Sequence, residues 1–174
     1  MVKKTFKRPT KAKTTVLIIG EGSDDKAFLS HLNRLYNSRY SNVKITIKDA
    51  HGGGPPQIID CAIRQSMIGA YDIKAILMDT DITLTKENND NIKEHSLIVI
   101  GSDPCLEGLL LDILGQKKDH RSAICKKAMH KQLNGKANDL DSYTKLFTEY
   151  VLEKARKKHP SLNRLLNIYI GKTK

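Results

Sequence analysis

Two acidic clusters in this chain follow directly on apolar runs. Val16-Leu17-Ile18-Ile19 gives way to Gly20-Glu21-Gly22-Ser23-Asp24-Asp25, and Ile76-Leu77-Met78 gives way to Asp79-Thr80-Asp81. Asp79 and Asp81 are two apart, so both leave one face if a strand continues, and a turn can still gather them if it stops. Asp25 follows Glu21 by one helical turn, and Glu107 comes soon after a further apolar run, Leu97 to Ile100. Carboxylates crowded together raise one another's pKa unless a cation lies between them. Hard oxygen donors select Mg²⁺, Mn²⁺ or Ca²⁺ over zinc, and the sequence holds no histidine cluster that argues otherwise. Two such ions about 3.5–4 Å apart activate a water and neutralise a leaving oxygen, which is phosphodiester chemistry. The plainer alternative is that Asp24 or Asp25 caps a helix while Glu21 and Asp79 serve turns.

For the acids to meet, the apolar runs must be neighbouring strands. Thr14 to Ile19 is β-branched or apolar throughout, which predicts a strand buried on both faces and hence a parallel sheet. Ala27, Phe28, Leu29, Leu32, Leu35 and Tyr36 form a helical stripe over Asp24 to Tyr36, with Ser23 or Asp24 as cap. Val43, Ile45 and Ile47 alternate with Lys44, Thr46 and Lys48, the pattern of a strand with one wetter face near a sheet edge. His51-Gly52-Gly53-Gly54-Pro55-Pro56 is a loop leading into a second helix, Gln57 to Tyr71, with apolar face Ile58, Ile59, Ala62, Ile63 and Met67. Ile73 to Met78 predicts a third strand, Lys86 to Glu94 a polar surface segment or short helix, Leu97 to Ile100 a fourth strand, and Leu106 to Leu114 an apolar helix carrying Glu107. The alternation predicts an α/β fold with a central parallel sheet of about four strands flanked by helices, and function at the carboxyl ends of the strands.

A chain of 174 residues, 28% charged and 39% hydrophobic, suits one compact domain. Its net charge of +11 is unevenly spread. Residues 1–13 carry six Lys/Arg and no acid, residues 14–116 nine against fourteen, and residues 117–174 fifteen against five. The first segment reads as a flexible basic arm, the second as the α/β domain, and the third as a basic helical extension packed on that domain. An acidic centre between basic flanks suits an enzyme holding cations in the middle and a polyanion at its edges. In the extension, helices are expected over Arg121 to Gln132 and Asp141 to Lys157, then a short apolar piece, Leu165 to Ile170. Tyr143, Leu146, Phe147, Tyr150, Val151 and Ala155 form a core-facing stripe, so both tyrosines are expected in the core rather than stacking on bases. Lys126, Lys127 and Lys131 read as a solvated helix face, with transition-state charge as the alternative, and His51 as an exposed loop histidine. Cys61, Cys105 and Cys125 are odd in number and lack CxxC spacing, so reduced thiols are expected. No run approaches the ~18 apolar residues of a membrane span and no apolar leader follows the basic start, which predicts a cytoplasmic protein.

The set IIGEGSDDKAFL, then LMDTD, resembles the toprim domain of topoisomerases, primases and OLD-type nucleases, with its strand–Glu-Gly element followed by a strand–Asp-x-Asp element. GSDPCLEGLLLDIL is similar to the Ser-Asn-Pro-Cys-Phe-Glu-x-Trp-Leu-Leu-Leu segment of the RloB family, a toprim-like group associated with bacterial anti-phage loci, and GGGPPQIIDCAI to that group's glycine-rich lead into its second helix. Asp103 stands where the family has asparagine, and Leu106 and Gly108 where it has aromatics. The resemblance covers about residues 14–116. It implies a Rossmann-like toprim fold with Glu21 as metal ligand or general acid/base and Asp79 and Asp81 as metal ligands. It further implies Asp25 as ligand to a second metal, and Glu107 in or beside the site. The expected function is a Mg²⁺- or Mn²⁺-dependent toprim nuclease hydrolysing DNA or RNA in anti-phage defence. Nucleic acid is its expected partner; with no GK[ST] in the glycine loop, any ATPase would be a separate partner protein. The alternatives are a toprim ribonuclease maturing structured RNA and a non-catalytic nucleic-acid-binding or partner-regulating subunit of a defence system.

Overall fold

A computed structural model describes residues 14–37 and 42–172; the expected basic arm, 1–13, lies outside the described residues. Four strands, β1 (Thr14–Gly20), β2 (Val43–Asp49), β3 (Ile73–Asp79) and β4 (Ile98–Ser102), form one sheet in the order β2-β1-β3-β4. All neighbours run parallel, as continuous apolar strands with helical crossovers require. The edge position of β2 matches its alternating pattern.

Helices α1 (Ser23–Tyr36), α2 (Gly54–Ile68), α3 (Lys86–Glu94) and α4 (Leu106–Ile113) connect and cover these strands. Successive residues of β1 serve opposite layers. Val16 and Ile18 pack with Phe28, Leu29 and Leu32 of α1, whereas Leu17 and Ile19 pack with Ile58, Ile59 and Ala62 of α2. From β1 the chain passes through α1 to β2 on one side, then through α2 back to β3 on the other. The connection therefore reverses between β1 and β3, and the crevice beyond their carboxyl ends is where such sheets hold ligands.

The remaining chain supplies α5 (Ser122–His130), a 3₁₀ turn (Leu140–Tyr143), α6 (Glu149–Ala155) and α7 (Pro160–Tyr169). Its apolar residues join the layer over α1. The Phe28 ring meets Tyr143 and Phe147 at centroid distances of 5.5 and 5.7 Å, within the range where tilted and edge-on rings attract. The Tyr169 hydroxyl donates to the Leu29 carbonyl at 2.7 Å, and the buried His31 Nε2 lies 2.7 Å from the Phe147 carbonyl.

Three expectations need correction. The helix expected over Asp141 to Lys157 is broken, because the Thr148 side chain accepts the Val151 N–H and starts α6 afresh. That restart shifts the helical phase, so Tyr143 and Phe147 are buried while Tyr150 is 75% exposed. Met67 is also exposed, since about 100° of rotation per residue carries it roughly half a turn round from Ile58. Finally, α1 is capped by Gly22, not by Ser23 or Asp24, and the Asp25 side chain reaches back to that cap. Among the described residues, no helix is long and apolar enough to cross a membrane.

Candidate functional site

A cavity of about 210 Å³ opens at the crevice beyond β1 and β3, lined by Glu21, Gly22, Ser23, Asp24, Asp25, Gly52, Asp79, Leu106, Glu107 and Lys126. Glu21 is the first residue past β1 and is half-buried. Asp25 lies in the first turn of α1, with Oδ2 accepting the Gly22 N–H at 2.9 Å. The chain can bend that tightly because Gly20 has no side chain: a Cβ there would stand 2.5 Å from Asp25 Cβ. Burial, opposed by the Gly22 hydrogen bond and reinforced by the charges of Asp79, Glu107 and Glu21, pushes the Asp25 carboxyl up to about 7.

Asp79 ends β3 and ties down the start of α4. Its Oδ1 accepts the Leu106 N–H at 3.1 Å and the Ser102 hydroxyl at 3.3 Å. Burial, then the charge of Glu21, pushes Asp79 up to about 6 against the opposing pull of Lys126, with Glu107 and Asp81 adding to the rise. Glu107 sits in the first turn of α4 and is 4% exposed. Gly108 allows that turn to press onto the preceding loop, since a Cβ would meet Pro104 Cδ at 2.5 Å and the Asp103 carbonyl oxygen at 2.7 Å.

The structure thus brings Glu21, Asp25, Asp79 and Glu107 to one cavity. Asp81 stands outside the lining, exposed, where its Oδ2 takes the Ser122 hydroxyl of α5 at 2.5 Å. The Asp-x-Asp pair diverges because β3 ends at Asp79. Beyond it, Thr80 and Asp81 donate their backbone N–H groups to Pro104 at 3.1 and 3.3 Å.

The basic extension contributes two groups. Lys126 lines the cavity, and although burial lowers its pKa, Glu107, Asp79, Cys105 and Glu21 raise it overall. Lys126, Lys127 and Lys131 are all exposed, as the solvated-face reading expects, and Lys126 in addition lines the cavity. One turn after Lys126, His130 places Nε2 3.2 Å from Glu107 Oε1 and 3.6 Å from Asp24 Oδ2. Sequence reasoning overlooked His130 and kept Asp24 as a cap; the i, i+4 spacing of Lys126 and His130 on one helix face was the available signal.

Other candidates fall away from the cavity. His51 is exposed and faces Asp49, its Nδ1 3.0 Å from that carboxylate. Gly52 touches the cavity by donating its N–H to the Glu21 carbonyl at 2.9 Å, with a φ of 85° that glycine accommodates without strain. Cys105 is fully buried, and burial pushes its thiol up to about 12, which makes it a poor nucleophile. All three cysteines are free. A larger groove of about 400 Å³ lies by the far end of α4, between Asp112 and α6, but no group of acids converges there.

Carboxyls from three segments line the acidic cavity, and two of them are pushed toward neutrality by burial and by one another's charge, a donor chemistry that suits a divalent cation. Among the described residues, no three of Glu21, Asp25, Asp79 and Glu107 bring donor atoms within 4.8 Å of one another. Comparison with protein-family models, with curated proteins and with solved structures finds no match to this chain.

Proposed function

We propose that the protein is a divalent-metal-dependent phosphodiesterase that hydrolyses nucleic acid, a toprim-type nuclease of the RloB kind, with Glu21, Asp25, Asp79 and Glu107 holding Mg²⁺ or Mn²⁺ and Asp81 beside them. The observation that carries this reading is the gathering of five carboxylates, those of Glu21, Asp24, Asp25, Asp79 and Glu107, and one ammonium at the topological switch point of a parallel sheet. A bound cation supplies Lewis-acid stabilisation of charge on the phosphoryl oxygens and a more acidic attacking water.

The protein's own groups divide the remaining work. Asp25 and Asp79 would be held as carboxylates by a bound cation, offsetting the burial and neighbouring charges that push both carboxyls up. Glu21, the more accessible acid past β1, takes the proton of the attacking water. Lys126 faces the charge that develops on phosphorus-bound oxygen. Exposed cations of the basic extension, such as Lys127 and Lys131, hold the polyanion backbone without reading its sequence. Work on phage or host nucleic acid during defence, in the cytoplasm, accords with the sequence resemblance.

The test is incubation with labelled single- and double-stranded DNA and RNA in Mg²⁺, Mn²⁺ or chelator. Cleavage is expected with either metal and lost in the chelator. Asp79→Asn with Asp81→Asn retains oxygens for the Leu106 N–H and Ser122 hydroxyl, and a folded double variant is expected to cut at background rate. Full cleavage by that variant, or none by the wild type on any substrate, refutes the proposal.

A further inference from the structure

We infer that Asp24, Glu107 and His130 form a second cation site of mixed nitrogen and oxygen chemistry, one that takes a transition metal such as Zn²⁺ in preference to Mg²⁺. The site shares Glu107 with the acidic centre but does not depend on that centre cutting a phosphodiester.

Each residue comes from a different helix: Asp24 from the first turn of α1, Glu107 from the first turn of α4, and His130 from the last turn of α5. One donor atom from each lies within 4.8 Å of the other two. In a tetrahedral zinc site with bonds of about 2.0–2.1 Å, neighbouring donors are about 3.3 Å apart. The His130 Nε2 separations, 3.2 Å to Glu107 Oε1 and 3.6 Å to Asp24 Oδ2, bracket that spacing.

A second, independent observation concerns Glu107. Its side chain is 5% exposed, and Oε2 is buried without a hydrogen-bond partner. The Cys105 thiol lies against the same carboxylate, but S–H is a weak donor, and Sγ also lies 3.9 Å from the Ser122 carbonyl oxygen. A buried carboxyl oxygen left without a partner is costly, and a cation would engage it. The His130 and Asp24 side chains, 42% and 35% exposed, leave an approach from solvent. Among divalent ions, imidazole favours Zn²⁺ and its neighbours over Mg²⁺, so the histidine sets selectivity.

The experiment is calorimetric titration of the full chain with Zn²⁺ in excess Mg²⁺, repeated for His130→Ala, for Asp24→Asn and for Asp79→Asn with Asp81→Asn. Loss of a ligand should cost at least what loss of a ligand's supporting partner costs, about 10–100-fold in affinity. His130→Ala and Asp24→Asn are therefore expected to weaken Zn²⁺ binding at least about tenfold. The Asp79/Asp81 variant should keep the His130-dependent binding even if cleavage is lost or was never present, which separates this site from the catalytic reading. Unchanged Zn²⁺ affinity in His130→Ala, or no Zn²⁺ binding by the wild type, overturns the inference and leaves His130 as an ion-pair partner of the two acids.

Discussion

Asp25→Asn should stabilise the metal-free protein, and by an amount that depends on pH. Asp25 is 8% exposed, and its carboxyl is pushed from 3.8 to about 7 by burial, with Asp79, Glu107 and Glu21 adding their charge. Between those values the folded chain holds a proton that the unfolded chain has released. Folding is therefore favoured at low pH, and stability falls as pH rises from about 4 to about 7. The full shift of about 3 units, at about 1.4 kcal/mol each, amounts to roughly 4 kcal/mol above pH 7. Asparagine is neutral throughout and keeps an oxygen for the Gly22 N–H. Any constant offset from the substitution cancels when two pH values are compared. The stability of Asp25→Asn relative to wild type should thus increase by about 3 kcal/mol between pH 4.5 and pH 8, a large part of a typical 5–15 kcal/mol total. Urea unfolding in EDTA, followed by far-ultraviolet circular dichroism because the chain has no tryptophan, measures it. Added Mg²⁺ should narrow the gap, since the cation replaces the proton in the wild type alone. A gap of equal size at both pH values refutes the electrostatic reasoning.

Two further expectations concern packing and protonation elsewhere. Gly108→Ala drives a methyl against Pro104 and the Asp103 carbonyl, which should cost about 1–3 kcal/mol and lower the melting temperature, with Glu107 displaced. His31 is 1% exposed, and burial lowers its pKa despite the opposing effect of its bond to the Phe147 carbonyl. The unfolded chain takes up a proton near pH 6.5 that the folded chain refuses, so this group's stabilisation is lost as pH falls below about 6.5. His31→Gln should flatten that slope, of at most about 1.4 kcal/mol per pH unit, in the same unfolding assay run from pH 5 to 7.5.

The sheet was legible because its determinants are local. β1 and β3 are buried on both faces and read as unbroken apolar runs, and Val43, Ile45 and Ile47 betray an edge strand by their alternation. That Glu21, Asp25, Asp79 and Glu107 share a cavity follows from the same logic, since each closely follows a strand and parallel strands end together. What stayed hidden depends on contacts distant in the chain. Asp81 turns away toward Ser122, forty-one residues later, and strand periodicity holds no trace of that. His130 lies twenty-three residues beyond Glu107, in a segment whose lysines drew attention to charge instead of ligation. Tyr150 was misplaced because one threonine hydroxyl restarts a helix whose apolar spacing otherwise runs on.

Lys126 and His130 both lie past residue 116, where the composition turns from acidic to basic. A boundary drawn there by charge leaves every strand and all five acids on one side and the two groups facing them on the other. Neither portion owns the pocket. A graft of the strand-bearing portion alone would lose the ammonium and the imidazole that face the acids of the pocket. Comparison between relatives should then find substitutions at Lys126 or His130 accompanied by changes among the acids across that boundary.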